Sequence, residues 1–154
     1  MQKYKYREDS DGVIPSPSVD HMSKDINSKL NYISQIEFSI TSYLVGCEDK
    51  TFVILGDKVI IHTEREYRKK DFDKISYDEE ICKERIVSGL QTLNVLKWRR
   101  NYVPPNFDFP ICVTVSWYLN IYFSDGHRPV KICGCNNYPH NFEGLLKLFD
   151  IDVK

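Results

Sequence analysis

The segment ICVTVSWYLNIYF, residues 111 to 123, places an apolar side chain at every odd position: Ile111, Val113, Val115, Trp117, Leu119, Ile121 and Phe123. The positions between them are largely polar. Strict period-two alternation over this length describes a β-strand with one buried and one solvated face. Such a strand cannot bury its apolar side alone, so it requires a sheet whose apolar face is covered by another layer.

The sequence downstream supplies the first partner. Asp125-Gly126 suits a two-residue turn, and folding the chain there sets Ile121 opposite Val130 and Leu119 opposite Ile132. The apolar faces then coincide, whereas a slip of one residue would separate them. Upstream, Ile36, Phe38, Ile40 and Leu44 alternate with Glu37, Ser39, Thr41 and Tyr43, the pattern of another half-buried strand. TFVIL (51–55) and KVIIH (58–62) flank Gly56-Asp57, where glycine in the first loop position predicts a type II′ hairpin. Five strands, joined by short turns, give an antiparallel sheet.

Two helices are predicted to cover it. Ser76 precedes Glu79 by three residues, the spacing of a capping box, and acidic residues follow in what would be the first turn. Cys82, Ile86, Leu90 and Leu93 then share one face of a helix running to about residue 93, which makes Cys82 a core side chain. After Pro139, a residue suited to a helix start, Phe142, Leu145, Leu146 and Phe149 form the stripe of a second helix. Between Glu64 and Arg85 lie seven basic and eight acidic residues, a solvated or edge segment. Residues 1 to 21, with REDSDGVIPSPSVDHM, break every period and read as a flexible leader or linker. The expectation is a single α+β domain over 22–154, an antiparallel sheet of about five strands with two principal helices on one face.

Charge narrows the functional classes. The 21 basic and 22 acidic side chains nearly cancel, unlike the basic footprint of a dedicated nucleic-acid binder. No run approaches the roughly 18 apolar residues of a membrane span, and the first residues lack the apolar core of a signal peptide. Five cysteines, an odd number at low density, suit free thiols in a cytoplasmic protein. Abundant Lys, Ile, Asn and Tyr fit an AT-rich bacterial or phage genome.

Three constellations carry possible chemistry. Cys133, Cys135 and His140, with His127 nearby, offer thiol and imidazole groups for a thiol or metal enzyme, but their spacing matches no common zinc pattern. Cys133 and Cys135 point to one face about 6.6–6.8 Å apart, the far limit for a disulfide. Lys97, Trp98, Arg99, Arg100 and Tyr102, followed by Phe107, interleave cations with rings, as single-stranded nucleic-acid sites do. The plainer expectation there is that Leu96 and Trp98 pack on the sheet. GxxxxGK[ST], GxGxxG and HExxH are all absent, and no cofactor is implied.

The third constellation is the solvated face of the final hairpin. Tyr118, Asn120, Tyr122 and Lys131 lie opposite the core positions, with Asn136 and Asn137 at the hairpin's end. Rigid rings with polar tips favour protein contacts. The expected function is therefore a small non-enzymatic protein-binding module of the bacterial immunity or phage counter-defence type. A nucleic-acid binder using 97–102 and an enzyme using Cys133, Cys135 and His140 are the alternatives.

Overall fold

The computed structural model describes residues 28–42, 46–67, 74–103 and 115–151. These form seven strands: β1 (Ile33–Ser42), β2 (Gly46–Leu55), β3 (Lys58–Tyr67), β4 (Lys74–Cys82), β5 (Asn101–Tyr102), β6 (Val115–Phe123) and β7 (Val130–Cys135). Two α-helices, α1 (Lys83–Thr92) and α2 (Phe142–Leu148), complete one α+β domain. The strand order across the sheet is β4-β3-β2-β1-β6-β7-β5. The leader over 1–21, Leu44, Phe107, Ile111 and Val113 lie outside the described residues.

The meander β1-β2-β3 forms as the alternation predicts. Leu55 pairs with Lys58, leaving Gly56 and Asp57 as the turn, and Gly56 has the positive φ of +66° that its position requires. The final hairpin has the expected register, with Ile121 opposite Val130 and Leu119 opposite Ile132. Its connection differs. Pairing stops at Ile121 and Val130, and Asp125 shapes the longer loop by accepting from the His127 amide at 3.3 Å and contacting its Nδ1 at 2.5 Å.

Three expectations are corrected. The helix predicted to start near Ser76 begins at Lys83, because residues 74 to 82 form β4, an edge strand held to β3 by nine consecutive pairs. A helix cap stabilises by about 1 kcal/mol, less than a full cross-strand ladder can supply. Ser76 and Glu79 are thus strand residues, and Cys82 is exposed at the N-cap of α1 instead of buried in the core. The sheet has seven strands where about five were expected, and it is mixed and not wholly antiparallel. After α1 the chain reaches the edge opposite β4, where β5 runs parallel to β7 through Asn101–Cys133 and Tyr102–Gly134. Burial of Tyr102 beside Trp117, with ring centroids 5.9 Å apart, anchors that short strand.

Both helices cover one face. Phe149, at the end of α2, has its ring 4.5 Å from that of Phe52 and 5.5 Å from that of Phe38, while Phe142 lies 4.6 Å from Trp117. Ile86 and Leu90 bring α1 into the same core. Each fully buried side chain of this size contributes about 1.5–3 kcal/mol. The helices approach closely through small residues. A methyl group added at Gly89 would meet Leu148, and one added at Gly144 would meet Leu93. The other face of the sheet carries no helix among the described residues.

Candidate functional site

Because strand side chains alternate, every residue facing away from the helices falls into rows that cross the sheet. One row reads Lys131, Asn120, Glu37, Thr51, His62 and Asp78 from β7 to β4. The next reads Cys133, Tyr118, Ser39, Asp49, Glu64 and Ser76. The register of the sheet thus joins polar residues that are far apart in the chain.

Glu37 is the hub. Its carboxylate accepts from Gln35 Nε2 at 3.1 Å, Asn120 Nδ2 at 3.2 Å and the Tyr122 hydroxyl at 3.0 Å. The bond from Tyr122 to Glu37 holds the phenol proton and pushes its pKa up. Beside it, Ser39 Oγ donates to Asp49 at 2.5 Å. Tyr118 stands over this pair, 42% exposed, and partial burial followed by the charges of Asp49 and Glu37 raises its phenol pKa.

At the other end of the face, His62 lies between two carboxylates. Nδ1 is 2.5 Å from Asp78 and Nε2 is 3.0 Å from Glu64. The hydrogen bond to Asp78, then the one to Glu64, favours the imidazolium and raises its pKa. Glu37, Asp49, Thr51, His62, Glu64 and Tyr118 line a shallow concavity of about 240 Å³ between these two ends. Both ring nitrogens of His62 are occupied by carboxylates, so His62 itself has no free nitrogen to act as a base. Among the described residues, no group of three or more His, Cys, Asp or Glu side chains is placed to hold a metal ion.

The structure brings Tyr118, Asn120, Tyr122 and Lys131 together on this face. Asn136 and Asn137 instead build the joint between β7 and α2. Asn136 has φ +56°, its side chain accepts from the Val115 amide at 2.9 Å, and its own amide donates to Val115 O at 2.8 Å. Asn137 is buried, and its carbonyl accepts from Trp117 Nε1 at 2.9 Å.

The basic and aromatic segment is mostly structural. Lys97 is exposed, but Trp98 and Tyr102 are buried and present no open ring for a base to stack on. The Arg99 guanidinium lies 5.7 Å from the Tyr102 ring centre, and Arg100 Nη1 donates to Trp98 O at 2.6 Å. Cys133 is exposed, while Cys135 is buried and its thiol pKa is raised, opposite to what an activated nucleophile needs. His140 is exposed.

Glu37, Asp49, His62 and Asp78 join the face although nothing in the local sequence singled them out. For Glu37 the signal was the even-odd pattern of β1, whose polar positions line up with Tyr118 and Asn120 once β1 pairs with β6, whereas Asp49, His62 and Asp78 are placed by the register of β2, β3 and β4. No helix among the described residues is long and apolar enough to cross a membrane. No protein-family model matches the chain, and no curated protein sequence matches it either.

Proposed function

We propose that this chain is a non-enzymatic protein-binding module whose contact surface is the open face of the final hairpin, centred on Tyr118, Asn120, Tyr122 and Lys131. The observation that carries the reading is Tyr118, a large ring 42% exposed in the middle of a sheet face that no helix covers among the described residues. Tyrosine in a fixed orientation is a common binding hot spot, since it adds contact area while losing little entropy. Its neighbours are already held by Glu37, which lowers the ordering cost further. Such a surface acts by affinity alone, as suits a bacterial immunity or phage counter-defence protein that masks its target.

The test starts with photo-crosslinking from position 131 in cells that encode the chain, to obtain the partner. Affinity is then measured with the purified pair. Tyr118→Ala together with Tyr122→Ala should weaken binding by roughly 2 kcal/mol or more while the circular dichroism spectrum stays native. A folded double variant that binds the partner unchanged places the contact elsewhere.

A further inference from the structure

Strand β4 ends the sheet, and its outer edge presents backbone N–H and C=O groups that pair with no other described strand. Natural edges are usually blunted by shortness, proline, a bulge or a covering element. β4 has nine residues, contains no proline, and keeps an unbroken register with β3 from Lys58–Cys82 to Glu66–Lys74. Its side chains are exposed or half-buried throughout, with Ile75 42% exposed. Among the described residues, charge is the protective device that remains.

That charge is of one sign at the centre, where Asp78, Glu79 and Glu80 are consecutive. Asp78 and Glu80, each exposed and beside His62 and Lys58 of β3 respectively, point to the open side together with Glu64, while Ile75, Tyr77, Glu79 and Ile81 point to the helix side. Two copies of β4 paired antiparallel about Asp78 or Glu79 would set carboxylates directly opposite one another, which is destabilising. A strand with cations at alternate positions would meet Asp78 and Glu80 favourably and could place apolar residues beside Ile75, Tyr77 and Ile81.

We propose that β4 is a strand-addition site, where an extended segment of a partner protein with Lys or Arg alternating with apolar residues joins the sheet next to β4. Backbone hydrogen bonds supply affinity and the acidic row selects the partner. The site is separate from the hairpin face, since β3, β2 and β1 lie between β4 and β6.

The probe is a fluorescein-labelled peptide, Lys-Val-Lys-Val-Lys-Val-Lys, titrated into the full chain and followed by anisotropy. Two further forms carry backbone N-methyl groups on the lysines or on the valines, so that each blocks one edge of the added strand. The parent peptide is expected to bind, its all-glutamate counterpart at least about tenfold more weakly. One N-methylated form should lose about tenfold or more and the other should bind like the parent, because only one edge faces β4. Asp78→Lys with Glu80→Lys, both on exposed side chains, should weaken the parent by about tenfold, whereas Tyr118→Ala should leave it unchanged. Absence of binding, equal affinity of both N-methylated forms and the parent, or indifference to the β4 charge reversal overturns the proposal. The N-methyl comparison uses the unaltered protein and does not depend on how any variant folds.

Discussion

Two charged clusters occupy opposite faces of the same sheet and are built on opposite terms. On the helix side, Lys50 Nζ lies 3.7 Å from Glu48 and donates to Thr63 Oγ1 at 3.1 Å, while Arg65 Nε approaches Glu48 at 3.0 Å. The Lys50 side chain is 0% exposed and that of Glu48 is 5% exposed. On the open side, His62 contacts Asp78 and Glu64 at equal or shorter range, but Asp78 is 65% exposed. Close contact is common to both. Burial differs, and burial decides what a lost partner costs, because water can replace a partner on the open face and not under the helices. Lys50 records that cost, since burial lowers its pKa while Glu48 works against the shift.

The largest effect should come from removing the shared anion. Glu48→Ala leaves Lys50 and Arg65 without their common carboxylate and is expected to destabilise the fold by about 3–5 kcal/mol. Asp78→Ala, which removes an equally close contact in water, should cost under about 1 kcal/mol. Urea unfolding of the two variants beside the wild type makes the comparison. Equal losses would mean that burial is not what separates the clusters.

A sharper version uses neighbouring residues in β7. At Gly134 an added methyl carbon would lie 2.3 Å from Trp117 Nε1 and 2.6 Å from the Asn137 carbonyl to which that indole donates. The backbone carbonyl cannot move aside as a flexible side chain would. Gly134→Ala should therefore cost about 1–3 kcal/mol. Cys133, one residue earlier, faces water, and Cys133→Ala should change stability by no more than about 0.5 kcal/mol. Thermal melts that give the two substitutions the same shift would contradict the packing of Trp117 over Gly134.

The same contrast explains which parts were legible in the sequence. The β6–β7 register could be read because apolar residues fill its helix-side positions without exception from Val115 to Ile121. The first half of β2 could not, since Glu48 and Lys50 occupy inward positions and erase the alternation that marks a strand. β4 was hidden differently. Its acidic centre resembles a helix's first turn, and the true helical stripe, Ile86 and Leu90, follows at once. On the candidate face, Tyr118, Asn120, Tyr122 and Lys131 followed from pairing within one hairpin. Glu37 required the pairing of β1 with β6, a contact spanning 83 residues of chain that local periodicity does not encode.

The smallest predicted effect belongs to His62. Its pKa lies above the ordinary 6.5 because both ring nitrogens meet carboxylates, Asp78 first and Glu64 second. The folded state therefore holds this proton more tightly than the unfolded chain does. The stabilisation is fully present below pH 6.5 and disappears as pH rises through the folded-state value. Exposure and salt keep it small. An NMR titration of the imidazole should give a midpoint above 6.5, and about 0.5 M NaCl should move it down. Asp78→Asn should lower the midpoint more than Glu64→Gln, and His62→Gln should flatten the corresponding fall in melting temperature above neutral pH. If Glu64→Gln has the greater effect, the cross-strand bond to Asp78 is not the dominant contact. If neither carboxylate matters, the open-face cluster contributes as little as its exposure allows, and the contrast with the buried Glu48 group becomes sharper still.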